Sequence, residues 1–254
     1  MLPILVTFTI PFLGHTVSIP SYGFFLALAF FFAIQLGHLR GLELGYTPEF
    51  LGTLYLVIFV SAMAGARITY ILTEWQKVQA SPSEYLLTLK GGGVFYGGLI
   101  TSIVSVGLFG VAKGIKKSHL ADECAMPIAI GHLLGRLGCF CGGCCYGRPT
   151  DLPWGCAFGL EGMRRHPTQL YEAMGLLIIF IVLYRMVWRP HRDWSVALTY
   201  MTLYGCLRFV VEMYRGDDRG PAILAGLSVS QTASLVFLAV AAVGWVSIRR
   251  RPAS

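Results

Sequence analysis

Four cysteines, an arginine and a histidine lie together in one run, GHLLGRLGCFCGGCCYGRP, at residues 131–149. His132 and Arg136 are four residues apart and Cys139 follows three residues later, so a helix would place them on one face. An arginine offers planar, paired donors that match a phosphate. A thiolate beside a cation is a nucleophile and a metal ligand. The run therefore predicts anion binding or thiol chemistry, and the choice depends on the solvent around it.

Composition indicates that this solvent is a membrane. Of the 254 residues, 55% are hydrophobic and 13% are charged, whereas soluble domains carry about 25% charged residues. We therefore expect an all-α, polytopic membrane protein that forms a single domain over residues 1–254. Seven candidate spans are 19–37, 50–72, 94–112, 124–141, 169–188, 195–213 and 223–248. The gaps predict outer loops at about 75–93 and 142–168.

The distribution of basic residues predicts the orientation. The net charge is +7, but the basic residues are scattered around apolar segments, so nucleic acid is not an expected partner. One set of connections carries ten basic residues close to helix ends, and the other carries seven. The positive-inside rule then places the N-terminus outside, the C-terminus inside and both long loops outside. We interpret the first 15 residues as an apolar segment in or near the membrane interface, because they lack a clear cleavage site.

Three arginines lie more than one helical turn inside the ends of the predicted spans: Arg67, Arg136 and Arg208. A charge at the centre of a bilayer costs at least about 2.5–3.5 kcal/mol, so each must face a partner or a wet cavity. Two interpretations stay open. The arginines pair with the chain's own acids and fix helix packing, or they bind an anion, most naturally a lipid phosphate. The acids available for the first interpretation are Glu74, Glu172 and Glu212.

The sixth span carries a polar stripe. Tyr204, Arg208 and Glu212 recur at intervals of four residues, and Arg215 continues the stripe at its outer end. Arg208 therefore has an acid one turn away, which favours pairing within the protein. Arg136 has no acid within a turn, which favours an external anion at that position.

A glycine-rich stretch, KGGGVFYGGLI at residues 90–100, opens the third span. Glycine allows close approach of the backbone to a ligand or to another helix, and N–H groups at a helix N-terminus suit an anion. The stretch is interpreted either as an ordinary turn or as part of a ligand site. In the second case Tyr96 would donate to a substrate or stack against it.

The fifth span opens with RRHPTQLYE at residues 164–172. It is interpreted either as an ordinary helix start, with Thr168 as a possible cap, or as a part of the site. Glu172 favours the second interpretation, because an acid that enters a nearly uncharged span needs a partner. An arginine would keep it ionised, whereas apolar surroundings alone would make it a proton acceptor near neutrality.

The cysteine cluster allows four interpretations. The cysteines are small, inert packing residues; they form one or two disulfides, since an outward face is oxidising; they hold zinc together with His132; or one is a working thiol, with Cys139 favoured by Arg136. The cluster consists of Cys139, Cys141, Cys144 and Cys145, with Cys156 close by, and Cys141 and Cys144 form a CxxC pair.

Five stretches, in order, resemble the prolipoprotein diacylglyceryl transferases of bacterial inner membranes. They are SYG at 21–23, GGGVFYGGLI at 91–100, GRLGCFCGGCCYGRP at 135–149, RHPTQLYE at 165–172 and YGCLRFVVEMYR at 204–215. The resemblance implies transfer of a diacylglyceryl group from phosphatidylglycerol to the lipobox cysteine thiol of a prolipoprotein, or a close variant with another acceptor. The partners implied are phosphatidylglycerol, the prolipoprotein signal peptide and membrane lipid. The reaction would occur at the outer, periplasmic face of the inner membrane, with no cofactor and no metal.

The residues and the resemblance together give two sets of candidates. The catalytic candidates are Arg136, Arg208, Glu172, Tyr96 and Cys144. The substrate-binding candidates are Tyr22, Arg67, Gly97, Gly98, Cys139, Gly147, His166, Gln169, Tyr204 and Glu212.

Three positions depart from the pattern that the resemblance implies. The family usually has a histidine at the position of Tyr96, an asparagine at that of Cys139 and a glutamate at that of Cys144. Tyrosine, with a pKa of about 10, is a poorer base at neutral pH, so the acid–base half of the site is altered while the arginines are retained. An alternative function is therefore a non-transferase relative that uses the lipid pocket and the cysteines for redox, metal or lipid-binding work.

Overall fold

The computed structural model of the chain describes residues 2–10, 15–86, 93–158, 162–216 and 226–250. Helices dominate these residues, which confirms the all-α prediction. The elements are β1 (Ile4–Ile10), β2 (His15–Pro20), α1 (Ser21–Glu43), α2 (Pro48–Thr73), α3 (Trp75–Ala80), α4 (Pro82–Leu86), α5 (Phe95–Ala112), α6 (Lys117–Cys141), β3 (Cys156–Ala157), β4 (Arg164–Arg165), α7 (Thr168–Val187), α8 (Ser195–Glu212) and α9 (Val229–Arg249).

The long helices coincide with the predicted spans. Five of them, α1, α2, α6, α7 and α9, are long and apolar enough to cross a bilayer. Helices α5 and α8 occupy the other two predicted spans with 18 residues each, and α8 is the less apolar because it carries the polar stripe. The chain is therefore a polytopic membrane protein. The predicted loop at 75–93 contains the short helices α3 and α4.

Packing divides the chain into two compact units. One comprises Met1–Gly37 with Ala121–Ser254, and the other comprises His38–Leu120. The unit boundaries fall inside α1 and α6, so both helices contribute to each unit. The single domain expected over residues 1–254 stays a prediction.

In the 38–120 unit, glycines bring α2 and α5 into backbone contact. A Cβ at Gly65 would lie 2.7 Å from the Gly97 carbonyl oxygen, and one at Gly98 would lie 2.7 Å from the Ala62 carbonyl oxygen. Thr101 donates a hydrogen bond to the Ser61 carbonyl across the same contact at 2.8 Å. Small residues therefore allow the close helix crossing that membrane bundles favour, and Gly97 and Gly98 are used in that crossing.

In the other unit, the core lies among α6, α7 and α8. Its fully buried members include Met126, Leu176, Leu183 and Val196. Helix α8 starts at a fixed point, because the buried Asp122 of α6 accepts hydrogen bonds from the backbone N–H groups of Trp194 and Ala197 at 2.7 and 2.8 Å. Helix α9 packs on α8 and begins with a capping box between Ser228 and Gln231.

Two small sheets complete the described residues. Strands β1 and β2 form an antiparallel hairpin in the N-terminal stretch that we interpreted only as an apolar segment. The alternation of apolar and polar residues in VTFTI and TVSIP is the signal for strands that this interpretation missed. Strands β3 and β4 pair within the 142–168 loop, and an isolated bridge joins Gly147 to Arg215 at the end of α8. These pairings hold the described parts of the loop, 142–158 and 162–168, beside the end of α6, the start of α7 and the end of α8.

Candidate active site

A buried carboxylate joins three helices of the larger unit. Glu172 of α7 is fully buried. Its Oε1 lies 3.0 Å from Arg136 Nη2 of α6, and its Oε2 lies 3.2 Å from Arg208 Nη1 of α8. Tyr204 donates its hydroxyl proton to Oε1 at 3.0 Å. One acid therefore holds both arginines that the sequence placed within the spans of this unit.

The second arginine is surrounded by partners from its own helix and from α9. Arg208 donates from Nη2 to Glu212 Oε2 at 2.5 Å and to Ser230 Oγ at 2.9 Å. Ser228 donates to the other oxygen of Glu212 at 2.9 Å. The predicted stripe of Tyr204, Arg208 and Glu212 is therefore confirmed as a connected network. The contacts of Ser228 and Ser230 were not predicted. Both residues lie at the start of α9, and residue spacing within α8 gives no information on contacts with another helix.

Arg136 differs from Arg208 in how completely the protein satisfies it. Its side chain is 16% exposed, against 8% for Arg208. Its ion pair is with Glu172, and its buried Nε has no hydrogen-bond partner among the residues that the structure describes. Both arginines thus pair with the chain's own acids, and the choice between helix packing alone and the binding of an anion stays a prediction. Arg136 nevertheless keeps donor capacity for a ligand.

A histidine extends this network on the α6 side. The two ring nitrogens of His132 lie 3.4 Å from the hydroxyl groups of Tyr200 and Tyr204, and Nε2 lies 3.7 Å from Glu172 Oε1. The four-residue spacing from Arg136 correctly placed His132 on the same face. It was considered only as a metal ligand, whereas in the structure it contacts the tyrosines and the central acid.

Helix α6 ends in a turn that folds the cysteine run back on itself. Gly143 has a positive φ of 71°, its N–H bonds the Phe140 carbonyl at 3.1 Å, and the Cys144 N–H bonds the Cys139 carbonyl at 3.1 Å. This pattern is a Schellman motif, in which side chains five positions apart meet across the turn. The Sγ atoms of Cys139, Cys144 and Cys145 accordingly lie within 4.8 Å of one another.

The thiols that lie close together are therefore not the two of the CxxC pair, Cys141 and Cys144. Cys141 does not belong to the group of three, and all seven cysteines of the chain are free thiols. Hydrogen bonds from the Cys139 and Cys144 thiols lower the pKa of Cys145, and the positive charges of Arg215 and Arg136 act in the same direction. The three sulfur atoms, which we call the thiol trio, border the side of α6 that carries Arg136.

Two buried side chains at the start of α7 hold the trio's loop. Thr168 donates to the Cys145 carbonyl at 2.8 Å, and Gln169 donates to the Cys144 carbonyl at 2.5 Å. The prediction that Thr168 caps the helix is wrong, because the cap position falls on Pro167 and the threonine hydroxyl is used across the loop. Gln169 was predicted to bind substrate. In the structure its side chain bonds the backbone carbonyl of Cys144 and so helps to position that cysteine.

The remaining candidates of this unit line the loop and the start of α1. A Cβ at Gly147 would lie 2.6 Å from both the His166 Cβ and the Tyr214 carbonyl oxygen, so only glycine fits there. His166 Nδ1 lies 3.1 Å from the Tyr171 hydroxyl. Tyr22 packs beside Gly138 at the end of α6 and stays 46% exposed. Gly147 and His166 thus shape the loop, while Tyr22 offers an exposed ring.

Four other candidates lie on α2 and α5 in the 38–120 unit: Arg67, Tyr96, Gly97 and Gly98. Arg67 donates to the Tyr85 carbonyl and lies over the Tyr70 ring at 5.3 Å, while Glu74 pairs with Lys77 at 2.8 Å. Tyr96 is 42% exposed at the start of α5. The first three positions of the glycine-rich stretch, 90–92, lie outside the described residues.

Comparison with known proteins identifies the family. Residues 9–247 match the family model described as prolipoprotein diacylglyceryl transferase. The chain belongs to this family. It is 36% identical over 227 residues to the phosphatidylglycerol–prolipoprotein diacylglyceryl transferase of Bordetella avium (strain 197N), with 86% of each chain covered. The expected resemblance is therefore confirmed.

Relatives in other bacteria give the same assignment to the prolipoprotein diacylglyceryl transferase family. The chain is 31% identical over 226 residues to the protein of that name in Clostridium tetani (strain Massachusetts / E88), which covers 86% of this chain and 88% of the relative. It is 35% identical over 179 residues to the one in Finegoldia magna (strain ATCC 29328 / DSM 20472 / WAL 2508), with 70% of each covered. Two members of the thiol trio, Cys139 and Cys144, stand where the resemblance implied an asparagine and a glutamate.

Proposed function

We propose that the chain transfers the diacylglyceryl group of phosphatidylglycerol to the lipobox cysteine thiol of a prolipoprotein, or performs a close variant of this reaction with another acceptor. The relatives named for this activity cover most of the chain. The observation that carries the proposal is Arg136, a largely buried guanidinium that has one ion pair and an Nε without a hydrogen-bond partner among the described residues.

Unused donor capacity supports a phosphate as the ligand of this network. Arg136 and Arg208 pair with the two buried carboxylates Glu172 and Glu212, and Arg136 keeps an Nε that has no hydrogen-bond partner among the described residues. A lipid phosphodiester brings one negative charge, and a planar guanidinium matches its oxygens. A lipid headgroup would therefore offer oxygens to the donors that Arg136 does not use within the protein.

The proposed reaction is an alkylation of sulfur. The acceptor sulfur forms a bond to the glyceryl carbon that carries the phosphate ester, the bond from that carbon to the ester oxygen breaks, and glycerol phosphate leaves with the electron pair. Arg136 and Arg208 stabilise the negative charge that develops on the leaving group. Glu172 holds both guanidinium groups in place, and Tyr204 and Glu212 hold the network around them.

The other candidates are proposed to line the site or to shape the loop beside it. Tyr22 lines the acceptor side, and Cys139, Gly147, His166 and Gln169 shape the loop beside it. In the 38–120 unit, Arg67, Tyr96, Gly97 and Gly98 are proposed to contact substrate on the strength of the resemblance alone. The thiol proton needs an acceptor, for which Glu172, Glu212 and Tyr96 are the candidates in these sets.

Localisation is proposed on the same basis. The chain is a helical membrane protein, and we place it in the bacterial inner membrane with the N-terminus outside, the C-terminus inside and the active site facing the periplasm. The excess of basic residues near helix ends on one side supports this orientation. The substrates proposed are themselves membrane-bound, so a site opening toward the outer leaflet would receive both.

The transfer reaction can be tested directly. The full chain, reconstituted in phosphatidylglycerol vesicles with a lipobox peptide, is expected to add the mass of one diacylglyceryl group to the peptide's cysteine and to release an equal amount of glycerol phosphate. Vesicles of phosphatidylcholine and a peptide with serine in place of cysteine are the matched controls. Absence of a mass gain with phosphatidylglycerol and the cysteine peptide would rule out the proposed activity.

A further inference from the structure

We propose that Cys139, Cys144 and Cys145 hold a zinc ion whose fourth coordination position receives the acceptor thiol. The identity of that fourth ligand rests on the proposed transferase function, whereas the metal site rests on the cysteines alone. The resemblance implied no metal, and the cysteines at positions 139 and 144 are departures from the pattern it implied.

The distances among the three sulfur atoms suit one metal ion. They lie within 4.8 Å of one another. Zinc binds thiolate sulfur at about 2.3 Å, so tetrahedral ligands stand roughly 3.8 Å apart. A contraction of at most about 1 Å therefore closes the trio around an ion, and side-chain rotation alone supplies it.

The backbone holds the three side chains in this arrangement before any ligand binds. The Schellman turn at Gly143 brings Cys144 over Cys139, and Cys145 adopts a positive φ of 66°, which is uncommon outside glycine. Thr168 and Gln169, both fully buried, hold the carbonyls of Cys145 and Cys144. The two buried side chains and the left-handed backbone conformation of Cys145 thus fix the conformation of the loop. In this conformation the three sulfur atoms converge.

The number of ligands indicates an open position. Structural zinc sites are closed by four protein ligands, whereas reactive sites use three and leave the fourth for water or substrate. Among the described residues, the group within reach of one ion consists of the three cysteines, and Cys144 is exposed. His132, the other ligand considered from the sequence, contacts Tyr200, Tyr204 and Glu172 instead. The trio therefore offers a three-ligand site accessible from one side.

Charge around the trio favours a thiolate complex. Three thiolates and one zinc ion carry a net charge of minus one, and a bound acceptor thiolate makes it minus two. Arg136 lies one turn before Cys139 on α6, and the buried Arg215 lies at the bridge to Gly147. Positive charge on both sides compensates a complex that would be costly in an apolar setting.

The chemistry that such a site supplies is activation of the acceptor thiol. The thiol binds as thiolate and its proton passes to water, since the thiolate is the form that ligates metals and attacks carbon. The sulfur then forms the carbon–sulfur bond, the carbon–oxygen bond breaks, glycerol phosphate leaves, and the neutral thioether is released from zinc. The metal does not change its oxidation state. This step takes the place of proton abstraction by a side chain of the site.

The test measures metal before activity. The full chain, purified under reducing conditions, stripped with a chelator and loaded with zinc, is expected to retain about one zinc per chain after dialysis. Cys144→Ser and Cys145→Ser are expected to lose it. Cys141→Ser is the matched control, because this cysteine is in the same run but outside the trio, and it is expected to retain zinc. Cobalt in place of zinc should give a thiolate charge-transfer band that changes when the lipobox peptide is added.

The outcomes separate this inference from the transferase function. No zinc in the reduced chain, equal loss in Cys141→Ser, or a disulfide within the trio would overturn the metal site. A cobalt spectrum unaffected by the peptide, or transfer that continues at full rate in the zinc-free chain, would overturn the role of zinc and leave the transferase function standing. Retained zinc without transfer would support the metal site and overturn the transferase function. Thermal unfolding of each variant shows whether it is folded.

Discussion

Replacing Glu172 with alanine is expected to destabilise the folded protein by about 3–5 kcal/mol, the range seen when one partner of a buried ion pair is removed. Glu172 is fully buried and is the acid that Arg136 and Arg208 share. Without it, Arg208 keeps Glu212, but Arg136 loses its ion pair in an apolar setting. The measurement is thermal unfolding of the purified protein in detergent, with transfer activity as a second readout.

The control for this substitution is Glu43→Ala. Glu43 pairs with Arg40 at 3.4 Å near the end of α1, and its side chain is 56% exposed. Pairs of this kind contribute about 1 kcal/mol or less. Glu172→Gln keeps an acceptor for the Tyr204 hydroxyl but removes the charge, so it should fall between the two. Equal unfolding temperatures for the Glu172 and Glu43 variants would show that the network does not bear on stability.

Replacing Arg136 with alanine is expected to reduce glycerol phosphate release about 10²–10³-fold, the cost of losing one donor to a developing oxyanion. Arg136 has an Nε that no described residue accepts from, so we expect its loss to affect the reaction rate more than the stability of the fold. Arg208 is bound by Glu172, Glu212 and Ser230, so Arg208→Ala is expected to reduce both activity and unfolding temperature. The measurement is initial release rate in phosphatidylglycerol vesicles, paired with thermal unfolding.

Two further variants sharpen this prediction. Arg136→Lys keeps the charge but loses the planar fork, so it should recover only part of the rate. Arg249→Ala removes an exposed arginine at the last turn of α9 and should leave the rate unchanged. Release at the normal rate by folded Arg136→Ala protein would exclude the proposed role of this residue.

The spacing of residues predicted those contacts of the site that are made within a single helix. Tyr204, Arg208 and Glu212 could be placed together because side chains four residues apart share a face. The acid that pairs with Arg136 could not be identified in this way, because Glu172 is on a different helix and a single sequence does not reveal contacts between helices. Ser230 was missed for the same reason.

The cysteine loop shows where a local signal was available but was not used. The CxxC spacing drew attention to Cys141 and Cys144. A glycine at position 143, just after the helix end, instead predicts a Schellman turn, which pairs Cys139 with Cys144. The role of Thr168 and Gln169 in holding that loop was not predictable, since it depends on where α7 begins relative to α6.

The most direct test of the central claim is an experimental structure of the protein with phosphatidylglycerol bound. We predict that a phosphate oxygen lies within about 2.7–2.9 Å of a guanidinium nitrogen of Arg136, with the acyl chains extending between helices toward the bilayer. A headgroup bound elsewhere, with Arg136 contacting Glu172 alone, would contradict the claim.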